Sequence, residues 1–355
     1  MKKKLLIFSL FIGLVFSLIA CDNTQKLYVL NVGDYIDMSI VKDFEEEYNC
    51  KVVYTELNSN EEIYQKLKNE KYDIVVISDY MIERMMVEGL IKEIDYSKLE
   101  NYNYDSLFSE AKELIEHQCT PYKNYFIPYF WGTVGILYNT DCEGLEEDIL
   151  ENGISVLFSN NSYNKGMYNS SRDALSLALI ALGYEEYINV NDEGKLREAM
   201  SLIQSVTYRA WGDDNLKSMV HSGMLDLALV YSGDYLDEYY QCEIDDEEIN
   251  FNYYAPNITN IWVDGLAITK NARNEELAYK FIDYFQIEDI QAQNADYIGY
   301  CPLSETVFNI LIDEYEYDID REFFVPYGPN RILYRFISNS HYNLLNDLLE
   351  ESKSK

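Results

Sequence analysis

Beyond residue 26 the apolar positions alternate between two periods. Leu27, Tyr28, Val29 and Leu30 form a strand-like run that ends at Asn31, just before Gly33. Ile40, Val41, Phe44 and Tyr48 then recur at the spacing of one helix face, which predicts a helix over residues 40–48. The pattern repeats twice. A β-branched run at 51–55 precedes a helical stretch at 61–67. An almost continuous apolar run, Tyr72-Asp73-Ile74-Val75-Val76-Ile77, precedes another at 81–88. Strands apolar on both faces and alternating with helices predict a parallel sheet covered on both sides. In such sheets ligands bind beyond the carboxyl ends of the strands. Here those ends are residues 31–35 and 78–80.

A second α/β pattern fills the middle of the chain, with helices expected at 174–182 and 193–206 and a buried strand at 224–231. Apolar strands at 133–139 and 262–268 flank it. They are expected to connect two lobes, the first of which is then discontinuous: residues 27–135 plus 264–298 against residues 136–263 plus 299–355. No repeat or low-complexity linker interrupts the chain.

The N-terminus reads differently. Lys2, Lys3 and Lys4 precede an uncharged apolar run over residues 5–20 and then Cys21, the layout of an export segment. Leu18-Ile19-Ala20-Cys21 resembles the bacterial lipobox, in which the cysteine is acylated and becomes the mature N-terminus. An uncleaved transmembrane anchor is the competing reading, although a run of this length is short for a span. Residues 1–21 are therefore expected to be a lipoprotein signal peptide. The rest would follow a short polar tether (residues 22–26) on the outer face of the cell membrane.

Composition narrows the function. The 355 residues carry 28 Lys+Arg against 62 Asp+Glu, a net charge of −34 that becomes −37 without the three signal lysines. Such a surface repels phosphate backbones and excludes nucleic-acid partners. With 48% hydrophobic and 15% aromatic residues the chain is too apolar to be a disordered acidic polymer. The cysteines after Cys21 (Cys50, Cys119, Cys142, Cys242 and Cys301) show no C-x-x-C spacing and no zinc framework. Three histidines, no H-E-x-x-H, no G-x-S-x-G elbow and no phosphate loop leave nothing that marks an enzyme. Residues 189–194 look superficially like a calcium loop, but Met200 stands where the bidentate glutamate belongs, so a helix N-cap is expected there. The acidic run at 243–248 reads as a solvated loop. No metal and no cofactor are expected.

Several segments carry a family resemblance: YVLNVGDY (28–35), YTELNSNEEIYQKL (54–67), YDIVVISDYMIERMMVEG (72–89) and IPYFWGTVGILYN (127–139). Together with residues 172–184, 229–234, 262–272 and 298–302 they resemble the extracytoplasmic polyamine-binding proteins, the spermidine/putrescine receptors of ATP-driven importers. The similarity keeps the family's order from Leu27 to about Phe308 and loosens beyond it. It implies a two-lobe, periplasmic-binding-protein-like (type II) fold with two crossover strands and a central cleft. A polyamine needs a carboxylate for each ammonium, because an unpaired charge taken out of water is costly, and apolar or aromatic walls for its methylenes.

Carried over by position, the resemblance places Asp264 on an amine and Trp262 as a stacking indole. Asp173 matches an acidic ligand position that is Glu in the family. Tyr231 stands where the spermidine-preferring form has Trp, and Asp234 resembles the putrescine-binding form. Asp34 and Tyr35 match the first-strand loop, Ser78 and Tyr80 the third, and Tyr300 another wall. Val32 and Gly33 replace the family's Trp and small hydroxyl residue, and Ser170 replaces an acid, which tilts the choice toward the diamine putrescine. The expectation is a monomeric, non-catalytic, lipid-anchored binding component serving membrane permease subunits and a separate ATPase. The rival expectations are a receptor for another small cationic solute, or a surface glycoside-active enzyme or adhesin whose acids act on sugars.

Overall fold

The computed structural model describes residues 24–33, 35–317 and 321–354. Residues 1–21, where a signal peptide ending at Cys21 is expected, and Asp34 lie outside the described residues. β1 (Gln25–Val32) pairs in parallel with β2 (Cys50–Leu57), Gln25 opposite Cys50 and Val32 opposite Leu57. On its other side β1 pairs in parallel with β3 (Ile74–Ser78). The helix Met38–Tyr48 joins the first two strands. Asp37 caps it by accepting from the Ser39 N–H, Ile40, Val41 and Phe44 are buried, and Asn49 ends it in the left-handed region at φ 45. Helices Asn60–Asn69 and Asp79–Val87 follow β2 and β3.

The second lobe repeats the scheme. β4 (Ile127–Asn139) leads into it, followed by β5 (Lys165–Tyr168), helices Ser171–Ala181 and Glu193–Gln204, β6 (Ala210–Gly212), helix Asn215–His221, β7 (Leu227–Tyr231) and helix Ser232–Asp245. β5 pairs in parallel with both β6 and β7. Asp192 caps the helix Glu193–Gln204 through the Lys195 N–H, so the stretch at 189–194 is a helix entrance as expected. The acidic run at 243–248 spans the end of the helix Ser232–Asp245 and the left-handed turn at Asp246.

Parallel pairing holds inside each lobe, whereas the strands between the lobes run antiparallel. After β8 (Phe251–Tyr254), which lies on β4, β9 (Thr259–Ile268) returns from the second lobe and pairs antiparallel with β3 and with β4. β4 gives its first half to β9 and, from Val134 to Tyr138, its second half to β7. The sheet order is therefore β2-β1-β3-β9-β4-β7-β5-β6. Two strands that traverse the molecule in opposite directions must meet antiparallel, which the local pattern of apolar residues does not encode.

Helices Glu275–Tyr284 and Glu288–Ile298 follow β9. β10 (Cys301–Pro302) lies on β4 opposite Phe130 and Trp131, helix Glu305–Asp313 packs on Glu288–Ile298, and β11 (Arg331–Ile332) pairs with Thr259 and Asn260. The final helix Asn339–Lys353 packs on Ser171–Ala181 and Glu193–Gln204 of the second lobe. All five described cysteines are free thiols. Among the described residues no helix is long and apolar enough to cross a membrane.

Candidate functional site

The site grows from β9. Side chains two apart on a strand share a face, so Trp262 and Asp264 project to the same side of the crossover. Antiparallel register sets Asp264 opposite Ser78, the last residue of β3. The Tyr35 hydroxyl, from the loop after β1, donates to Asp264 Oδ2 at 2.9 Å. Asp264 is 8% exposed. Burial pushes its carboxyl up to about 6, against the pull of the Ser78 and Tyr35 hydroxyls. Its Oδ1 and the Trp262 Nε1 are buried with no hydrogen-bond partner among the described residues. Leaving such an atom unpaired costs about 1–3 kcal/mol, so this strand carries an acceptor and a donor that no described part of the fold uses.

A row of rings leads from Asp264 into the second lobe. Tyr35 meets Tyr300 edge-on at 5.4 Å, Tyr300 lies 5.5 Å from Trp262, and Trp262 meets Tyr231 edge-on at 6.1 Å. Tyr129 and Phe130 of β4 back Tyr35 at 5.4 and 5.5 Å. At the far end the Tyr231 hydroxyl donates to Asp173 Oδ2 at 2.7 Å, and the Tyr334 hydroxyl donates to Oδ1 at 2.9 Å. Asp173 sits in the first turn of the helix Ser171–Ala181, whose cap is the Ser170 hydroxyl. Ser170 is thus a helix cap.

Two glycines make the row possible. A Cβ on Gly132 would strike the Trp262 ring, and one on Gly233 would strike three atoms of the Tyr300 ring. Gly233→Ala is therefore expected to displace Tyr300 and lower ligand affinity by about tenfold or more. A melting temperature within about 2 °C of wild type would show that the fold survives; overpacking of this kind costs about 1–3 kcal/mol where it cannot relax. Unchanged affinity would separate Tyr300 from the site.

Asp234 is buried behind this row. Its Oδ2 accepts from the Tyr231 N–H at 2.9 Å, and Lys217 Nζ stands 4.0 Å from Oδ1. Burial raises its carboxyl to about 7, although the Lys217 charge opposes the rise. The charge of Asp234 also acts on the Tyr300 and Tyr168 hydroxyls. Tyr80 points elsewhere, donating to Glu61 Oε1 at 3.0 Å while the Arg172 guanidinium lies 4.3 Å over its ring. It ties the first turn of the helix Asp79–Val87 to the second lobe and does not join the row.

Sequence reasoning passed over two residues. Asp79, between Ser78 and Tyr80, is 1% exposed and accepts from the Val263 N–H at 3.0 Å. Burial, with the Asp264 charge adding to it, holds its carboxyl up at about 8. Its place in the Ser78-Asp79-Tyr80 stretch was the available signal. Tyr334 lies in the segment beyond Phe308, where nothing in the sequence connects it to Asp173.

Paired α/β lobes joined by antiparallel crossover strands, with buried acids and rings gathered where the lobes meet, make this a two-lobe binding protein for a small solute. Residues 39–321 match the model of the bacterial extracellular solute-binding proteins, and the chain belongs to that family. It is 29% identical over 287 residues, 79% of this chain and 78% of the relative, to the spermidine/putrescine-binding periplasmic protein of Escherichia coli (strain K12). It is 28% identical over 292 residues, again 79% and 78%, to a putrescine-binding periplasmic protein of Pseudomonas aeruginosa (strain UCBPP-PA14). The solved spermidine/putrescine ABC transporter substrate-binding protein of Streptococcus pneumoniae superposes with a TM-score of 0.73 at 28% identity, covering 93% of this chain and 99% of that one. The fold is that of the periplasmic binding proteins, and the family works outside the cytoplasm.

Proposed function

We propose that this chain is the polyamine-binding component of an ATP-driven importer, holding putrescine or spermidine between its lobes and delivering it to a membrane permease. The observation that carries the reading is Asp264: a buried carboxylate with one oxygen unpaired, beside an indole, at the head of a row of tyrosines that ends at Asp173. An ammonium beside Asp264 gains a charge partner, and methylenes lying along Tyr300, Trp262 and Tyr231 gain aromatic walls, each cation–ring contact adding about 0.5–2 kcal/mol. Tyr35 and Ser78 come from one lobe, Asp173, Tyr231 and Asp234 from the other. Ligand contacts to both favour the closed state by their differential affinity for it.

The same proposal includes acylation at Cys21, a monomeric state, permease subunits with a separate ATPase, and the absence of catalysis. The lobe division at 135/136, 263/264 and 298/299 also belongs to it, as does a ligand-binding role for Asp34. The relatives are described as solute-binding proteins, so neither the glycoside-active nor the adhesin alternative has a feature in its favour. Titration calorimetry of protein lacking residues 1–21 with putrescine, spermidine and cadaverine is expected to give saturable one-site binding with at least one of them. Silence with all three overturns the reading.

A further inference from the structure

A second cluster lies in the second lobe, apart from the aromatic row. His221 ends the helix Asn215–His221, Cys242 lies near the end of the helix Ser232–Asp245, and Glu247 follows it. The Cys242 Sγ is 3.7 Å from His221 Nδ1 and 3.8 Å from Nε2, and Glu247 Oε2 is 3.9 Å from Nε2. One donor atom from each of the three residues falls within 4.8 Å of the others. A tetrahedral zinc ion has bonds of about 2.0–2.3 Å to such ligands. Its ligand atoms therefore stand about 3.5 Å apart. The two distances to Nε2 exceed that by a few tenths of an ångström, and no pair of the three exceeds it by more than about 1.3 Å, a closure that side-chain rotation can supply.

The surroundings prepare the imidazole for that role. His221 Nδ1 is 2.9 Å from Glu238 Oε1, and Glu238 Oε2 accepts from the Ser218 hydroxyl at 3.0 Å. A carboxylate on Nδ1 holds the proton there and leaves the Nε2 lone pair for a metal, the usual outer support of a zinc-bound histidine. Cys242 is buried, and Glu247 is exposed on the solvent side, where an ion can enter and water can complete its coordination. Nitrogen, sulfur and a single carboxylate suit a borderline ion such as zinc better than calcium or magnesium, which take oxygen. A salt link between His221 and Glu238 alone would satisfy Nδ1, but it assigns nothing to the Glu247 carboxylate on Nε2 or to the thiol, which stands about equally far from both ring nitrogens.

We propose that His221, Cys242 and Glu247 form a binding site for a zinc-type divalent ion, with Glu238 positioning the imidazole. The ion would clamp the end of the helix whose first turn holds Gly233 and Asp234 to the helix that carries Lys217, and so brace the second-lobe wall of the aromatic row. The inference stands independently of which solute that row binds.

Cobalt(II) titration of the chelator-treated protein tests it. One equivalent is expected to produce a thiolate-to-cobalt charge-transfer band that zinc then bleaches. Cys242→Ser should abolish the band, and Cys142→Ser, at a thiol that is partly exposed, should keep it. Glu238→Gln should weaken cobalt binding by about 10- to 100-fold while leaving the band's shape unchanged. Absence of the band in the parent protein, or its persistence in Cys242→Ser, overturns the proposal. Circular dichroism in chelator checks that Cys242→Ser folds. Should it not, His221→Gln replaces it, with loss of stoichiometric cobalt binding as the expected result and its retention as the overturning one.

Discussion

Replacing Asp264 by Asn is expected to weaken polyamine binding by about 30-fold or more, with the protein still folded. Removing one member of a buried, hydrogen-bonded charge pair costs about 2–5 kcal/mol, and each 1.4 kcal/mol is about tenfold in affinity. Asparagine keeps an acceptor for the Tyr35 hydroxyl that now bonds Oδ2. It nevertheless lacks the charge and turns an amide NH2 toward the ammonium. The unliganded variant should be at least as stable as wild type, because the buried carboxylate, whose pKa burial raises to about 6, is replaced by a neutral group. Calorimetry with putrescine and a thermal melt without ligand read the two effects separately. Wild-type affinity in Asp264→Asn would remove Asp264 from the site and the polyamine assignment with it.

Polyamine affinity is expected to fall on acidification, while the stability of the unliganded protein changes in the opposite direction. Burial holds three carboxyls high: Asp264 at about 6, Asp234 at about 7 and Asp79 at about 8. An ammonium ligand favours their charged forms, so binding releases protons in this range. For each carboxyl coupled to the ligand, affinity should drop by up to about tenfold per pH unit below its pKa. Calorimetry near pH 6.5 in two buffers of different ionisation enthalpy should reveal the released protons as a buffer-dependent heat. In Asp264→Asn part of that heat should vanish.

The stability effect has its own sign. An unfolded aspartate titrates near about 3.9. Each of the three groups therefore holds more protons in the folded chain than in the unfolded one between that value and its raised pKa. Their contribution is full at the acid end and is lost as pH rises through 6–8. Carboxyls held low by lysine partners, such as Glu116 beside Lys123 and Glu275 beside Lys92, act below that range, where their contribution is lost as pH falls. The unliganded melting temperature should thus decline from about pH 5 to pH 8, and saturating putrescine should flatten the decline. A flat unliganded profile would show that these acids are not buried in solution.

Much of this architecture is local in origin. Helix-spaced Ile40, Val41, Phe44 and Tyr48, capped by Asp37, form a helix wherever the chain goes, and the apolar run at 74–77 has only a buried strand open to it. Alternation along 262–268 put Trp262 and Asp264 on one face, and the resemblance named the acids and rings that belong together. Local pattern does not specify which strands pair across long stretches of chain. The antiparallel meeting of β4 and β9, and with it the junction between parallel lobes, was settled by tertiary packing. The electrostatics of each acid were settled the same way, because burial and neighbours depend on residues far along the chain. Tyr334 reaches Asp173 across 161 positions, Asp79 is buried against β9, which raises its pKa, and Lys217 stands by Asp234. His221, Cys242 and Glu247, unremarkable in sequence, meet because two helices pack. The sequence by itself determined which residue types were available for a cationic ligand. The tertiary structure decided which of them are buried, paired or left with an unused bond, since desolvation and charge proximity are properties of packing and not of order along the chain.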